Sequence, residues 1–157
     1  MVYLIGVNHF VQFDPAPHIA KIVRDERASF KARVLEVIEQ LGISILAEEF
    51  NGEAKKKWRV SESILEQLGK AKGIEHRFCD PAATERKENA IDESDSDKRE
   101  QFWGSRIQDC KNKSVLFVCG DDHFESFSKK LIAAGFDVKH GARSRISDEE
   151  IWATYGL

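Results

Sequence analysis

The amino-acid sequence predicts an α/β fold: a mostly parallel four- to five-stranded sheet with helices on both faces, in a single three-layer domain. Three observations carry this. Short runs are apolar at nearly every position, as in strands buried on both faces. Between them lie segments whose apolar residues recur at helical spacing. The two kinds alternate along the chain, the pattern of a covered parallel sheet. A length of 157 residues is that of one domain with a full core, 1–157.

The first strand is expected over 2–7, from Val2 to Val7. A loop with Pro15 and Pro17 follows, then a helix over 24–41 with the stripe Phe30, Val34, Val37, Ile38 and Leu41, stopped by Gly42. The second strand is expected over 43–47, ending at Glu48 and Glu49. Ser61 is placed to cap a helix carrying Ile64, Leu65 and Leu68, closed by Gly73. A weaker strand over 74–79 runs into Asp80 and Pro81. Residues 82–98 are charged and poor in large apolar groups, which predicts a mobile loop. A helix over 97–111, a strand over 114–119, a helix with Phe124, Phe127, Leu131 and Ile132, and a strand over 136–140 complete the alternation. Ser147 and Glu150 form a capping box for a last turn near Trp152.

The 24 basic and 27 acidic side chains leave a net charge of −3, which argues against a broad nucleic-acid surface. No apolar stretch is long enough to span a membrane. The three cysteines have no CxxC spacing, so neither a disulfide framework nor a thiolate zinc site is expected. A reduced cytoplasmic protein is the expectation.

One phrase occurs twice, an apolar run ending in Gly-x-x-His-Phe: Gly6-Val7-Asn8-His9-Phe10 and Gly120-Asp121-Asp122-His123-Phe124. Each copy puts an imidazole just past the end of a buried strand. Ligands of such sheets bind beyond the strand carboxyl ends. His9, Glu48, Glu49, Asp80 and His123 all fall there. Glu48 and Glu49 are adjacent, so a strand continuing through them points them to opposite faces. Glycine at 6 and 120 suits a strand end that bends or lets a ligand come close. Neither copy is a dinucleotide or P-loop motif.

Two imidazoles with carboxylates suit a divalent ion such as Mn, Co, Zn or Fe, with positions left for water. The expected ligands are His9, His123, Glu48 and Asp80, with Glu48 or Glu49 a ligand or general base and Asp80 a second ligand or an orienter. A metal-free version uses one histidine as base, its tautomer set by a carboxylate. Arg86 and Arg99 flank the charged segment and are candidates for holding a substrate carboxylate or phosphate, with Asn8 and Asp122 as further substrate contacts. Cys119 reads as core and Cys79 as an open case for a nucleophile. His18, His76 and His140 read as solvated or structural, and Trp103 as core packing.

The two Gly-x-x-His motifs, the run Ile45-Leu46-Ala47-Glu48 between them and Asp80 after the third strand resemble the TraB/Tiki group of the erythromycin-esterase and ChaN-like superfamily. The resemblance covers most of the chain in order. It implies an α/β fold with a pocket built from these motifs. Tiki-like members are metal-dependent proteases, erythromycin-esterase-like members open a lactone, ChaN-like members bind haem and TraB-like members are linked to pheromone shutdown. Asn8 stands where the first motif often has an acidic or other polar residue.

The reading that follows is a small cytoplasmic hydrolase dependent on a divalent metal, acting on a small-molecule or peptide substrate through a peptide, ester or phosphoester bond. A sensor of a small molecule or haem using the same pocket is the alternative, and a phage-defence or toxin–antitoxin regulator is the third. Neither nucleic acid nor membrane is an expected partner, and nothing in the sequence specifies an oligomeric state.

Overall fold

The computed structural model describes residues 1–12, 21–57, 59 and 62–143. Five strands, β1 (Val2–Val7), β2 (Ile45–Glu48), β3 (Glu75–Phe78), β4 (Val115–Gly120) and β5 (Val138–Arg143), form one sheet in the order β3-β2-β4-β1-β5. Every neighbouring pair is parallel. Around it stand α1 (His9–Gln12), α2 (Lys21–Leu41), α3 (Gly52–Lys57), α4 (Ile64–Lys72), α5 (Ala83–Glu88), α6 (Ser96–Arg106) and α7 (Phe124–Ala133).

Alternation along the strands sorts the core into two layers. Val2, Leu4, Ile45, Ala47, Val115, Phe117 and Cys119 pack with Trp103 and Ile107 on the α6 side and with Phe127 and Leu131 of α7. Ile5, Val7, Leu46, Leu116 and Val118 pack with Phe30, Val34 and Ile38 of α2 and Ile64, Leu65 and Leu68 of α4. Neighbours in sequence thus lie on opposite faces, as the period-two geometry of a strand requires. The three layers follow from this sorting.

Three strands begin later than their apolar runs, for one reason. Gly42, Gly73 and Gly135 have positive φ (59°, 66° and 85°) and end α2, α4 and α7. The next residue then donates its N–H back to the helix: Ile43 to Ile38 O at 3.3 Å, Ile74 to Gly69 O at 2.9 Å and Phe136 to Leu131 O at 3.0 Å. This closure spends the first apolar residue of each run on a helix end.

The charged segment 82–98 holds α5 and the start of α6, where an open loop was expected. Asp95 Oδ1 caps α6 by accepting from Lys98 N at 3.1 Å, and Glu85 pairs with Arg106. Capping and ion pairs make helix there without an apolar stripe. Helix α6 ends at Arg106, and a 3-10 turn over Gln108–Cys110 takes up the rest of the expected helix. Ser63, with Oγ accepting from Glu66 N at 3.0 Å, caps α4. The expected cap Ser61, together with His18, Ser147, Glu150 and Trp152, lies outside the described residues.

The connection after β1 runs to α2 on one face, whereas that after β4 runs to α7 on the other. Because β1 and β4 are neighbours, with Val7 opposite Gly120, the chain parts between their carboxyl ends. That crevice is where open α/β sheets bind ligands.

Candidate active site

Both repeated motifs open into this crevice. After β1, Asn8 Oδ1 accepts from Phe10 N at 3.1 Å, and α1 begins at once with His9. One turn on, Gln12 Oε1 sits 3.0 Å from His9 Nδ1. After β4, a 3-10 turn over Asp121–His123 delivers His123. Its Nδ1 lies 2.8 Å from Glu100 Oε1, and its ring meets Trp103 edge-on at 5.0 Å.

The two imidazoles converge on one atom. His9 Nε2 is 3.9 Å and His123 Nε2 3.6 Å from Glu49 Oε1. Glu49 itself is 4% exposed. Its Oε1 accepts from Arg99 Nη2 at 2.7 Å and its Oε2 from Gly120 N at 2.8 Å. A Cβ at position 120 would stand 2.8 Å from His9 Nε2 and 3.3 Å from Glu49 Oε2. The absent side chain makes the room in which these groups meet.

Glu48 is corrected here: it is not a partner of these histidines. Glu48 shares strand parity with Leu46, on the α2–α4 face, while Glu49 follows Ala47 toward α6. The fully buried Glu48 accepts from Ser63 Oγ and meets His76 Nε2 at 2.7 Å through Oε1. Its Oε2 has no hydrogen-bond partner among the described residues.

Of the two roles expected for Asp80, ligand or orienter, its contacts match the second. Oδ1 accepts from Arg99 Nε at 3.0 Å, Arg99 Nη2 at 2.9 Å and Trp103 Nε1 at 3.0 Å, and Oδ2 from Asn51 Nδ2 at 3.1 Å. So many donors leave it an orienter of Arg99. Burial works against the Arg99 charge, but Asp80 and Glu49 outweigh it and hold the guanidinium pKa above its ordinary value. Trp103, expected as core, is fully buried and also donates this bond.

The other candidates stand apart. Arg86 pairs with Glu93 at 3.6 Å, and Asp122 is exposed on the 3-10 turn. His140 Nε2 lies 2.6 Å from Ser128 Oγ. Burial pushes the Cys79 thiol up to about 12 and that of Cys119 well above its usual value, so neither is a ready nucleophile. All three cysteines are free and buried.

Sequence reasoning missed Glu100, Gln12 and Asn51. Glu100 had a readable signal: with Trp103, Ile107 and Cys110 it falls on the 3-4-3 spacing of a buried stripe, where a carboxylate needs a partner. Glu100 is 1% exposed. A groove of about 430 Å³ between α6 and α7 is lined by Glu100, Gln108, Phe127 and Lys130.

The chain matches no family model, no curated protein and no solved structure. The site therefore has to be read from its own chemistry. Among the described residues no three His, Cys, Asp or Glu side chains form a ready-made metal-holding group, and no helix is long and apolar enough to cross a membrane.

Proposed function

We propose that this chain is a small hydrolase, TraB/Tiki-like, that uses a divalent ion at the crevice between β1 and β4. The observation that carries the reading is the convergence of His9 Nε2 and His123 Nε2 on Glu49 Oε1. Two imidazole nitrogens and a carboxylate oxygen suit Zn, Mn, Co or Fe, and Gly120 leaves the room for them. His9, His123 and Glu49 would hold the ion, replacing the expected set that included Glu48 and Asp80. When bound, the ion supplies an acidified water.

The protein's own groups do the rest. Asp80 and Trp103 fix the plane of Arg99, whose Nη2 holds Glu49 in place. Arg99 Nη1 makes no hydrogen bond among the described residues, leaving an N–H edge for a substrate oxygen. Peptide, ester and phosphoester substrates all offer that oxygen. Three free, buried thiols are in keeping with a cytoplasmic location.

Elemental analysis and calorimetric titration with Zn²⁺ and Mn²⁺ test the proposal on the wild type and the His9→Ala/His123→Ala double variant. Stoichiometric metal in the first and none in the second is the expected result. Equal metal content in both would remove the ion from the reading.

One observation favours a metal-free version of the same hydrolase: Glu49 already has a cation, Arg99, 2.7 Å away. There His123 serves as general base towards water. Turnover of p-nitrophenyl esters or phosphate that survives exhaustive chelation would select this version, and a bound small molecule or haem without turnover would select a sensor.

A further inference from the structure

We infer that Glu100 is a positioning residue that locks His123 in the Nδ1–H tautomer and aims its Nε2 lone pair at Glu49. This rests on the proposed role of His123 in the site. On α6, residues 99 and 100 are neighbours with divided duties. Arg99 reaches Glu49 and Asp80. Glu100, on the same helix turn, reaches the other nitrogen of the imidazole that faces Glu49.

Donor and acceptor chemistry sets the proton's place. Glu100 Oε1 is 2.8 Å from His123 Nδ1 and accepts from Ser126 Oγ at 2.6 Å. Oε2 accepts from Lys130 Nζ at 2.7 Å. A carboxylate so surrounded by donors can only accept, so in the neutral ring Nδ1 must carry the hydrogen. Nε2 then holds a lone pair, and that atom is the one 3.6 Å from Glu49 Oε1. Histidines that bind metals or take protons are oriented in this way by a partner on their far nitrogen.

Three further contacts make the aim rigid. Ser126 Oγ also bonds His123 O at 3.2 Å, tying the carboxylate to the turn that presents the ring. Lys130 reaches Asp97 Oδ1 at 3.0 Å, bracing the Glu100 carboxylate between α6 and α7. The ring is also held edge-on by Trp103. His9 has a different support, the Gln12 amide, which gives the experiment an internal reference.

Long-range ¹⁵N–¹H NMR of the imidazole rings reads the tautomer directly. The wild type is expected to show His123 as Nδ1–H at a pH where the ring is neutral. Glu100→Leu is expected to move it to the Nε2–H form while the His9 pattern stays unchanged, and to weaken Zn²⁺ binding at least tenfold. His123 found as Nε2–H in the wild type, which needs no variant to fold, would overturn the inference. A Glu100→Leu ring that remains Nδ1–H would do the same. The tautomer is read without substrate or metal, so a failed hydrolase assay and a failed positioning role are separate results.

Discussion

Glu48 and Glu49 are consecutive, yet their carboxylates lie on opposite faces of the sheet. Glu48 Oε1 is 2.7 Å from His76 Nε2 under α4, and Glu49 Oε1 is 2.7 Å from Arg99 Nη2 under α6. The first carboxylate is tied to His76, and the second faces His9 and His123. Glu48→Leu strips the acceptor from Ser63 and His76 at a fully buried position, at a cost of about 1–3 kcal/mol. Its urea midpoint is expected to fall while the tautomer and metal uptake of the histidine pair persist. Glu49→Gln keeps one acceptor, for either Arg99 or Gly120, and turns an NH2 toward the other donor. Its midpoint should fall as well, but unlike Glu48→Leu it should also lower metal uptake or turnover at least tenfold. The opposite pattern in the two variants would reverse the assignment.

Gly120 offers a cleaner separation of site from scaffold. Its φ of −58° and ψ of 144° are open to any residue, so glycine is not required there for backbone freedom. It is required for space, because a methyl group would lie 2.8 Å from His9 Nε2. His9, with a side chain 40% exposed, can swing out to solvent at small cost. Gly120→Ala is therefore expected to keep its melting temperature within about 2–4 °C, a stability change below roughly 1 kcal/mol for a domain of this size. Metal affinity or turnover should drop at least tenfold. A large stability loss with an intact site would show that Gly120 serves the fold.

How far the sequence was readable depended on which physical signal each residue carries. The runs at β1 and β4 are apolar on both faces, so each strand was legible. Their pairing is a long-range fact, and the convergence of His9 and His123 followed only on the condition that the two strands are neighbours. The parity of Glu48 and Glu49 was legible too, but the side that faces the site depended on which face α6 covers, and that is a long-range fact. Segment 82–98 misled because α5 is held by charged contacts such as Glu85 with Arg106 rather than by an apolar stripe. Glu100 was hidden among charged neighbours, although its spacing from Trp103 and Ile107 marked it as buried.

The thiols give a test of burial at the site's edge. The Cys79 side chain has no exposed surface, and burial pushes its thiol up to about 12. At pH 8 a thiol with that pKa is ionised in only about one molecule in ten thousand, and the thiolate is the reacting form. Iodoacetamide at pH 8 is expected to leave Cys79 and Cys119 unmodified in the native protein. Both should alkylate readily in 6 M guanidinium, as mass spectrometry of peptides would report. Rapid native labelling of Cys79 would reopen its reading as a nucleophile.

Acid stability should report on an ion pair remote from the imidazoles. Lys55 Nζ lies 2.9 and 2.7 Å from the two oxygens of Glu66, with side chains 23% and 13% exposed. Burial by itself would push Glu66 up, but Lys55 and then Lys70 outweigh it and hold its pKa below the ordinary 4.5. For a carboxylate depressed on folding, the stabilisation is fully present above pH 4.5 and is lost as pH falls through the lower folded-state value. Lys55→Met removes the charge, and with it the ammonium that stands 5.9 Å from the centroid of the Phe78 ring. At pH 7 it is expected to cost about 0.5–1 kcal/mol in urea unfolding. That difference should shrink as the pH drops below 4.5, down to the contribution of the Phe78 contact once Glu66 is protonated in both folded and unfolded chains. A gap between wild type and Lys55→Met that stays constant down to pH 2 would mean that Lys55 acts by packing alone.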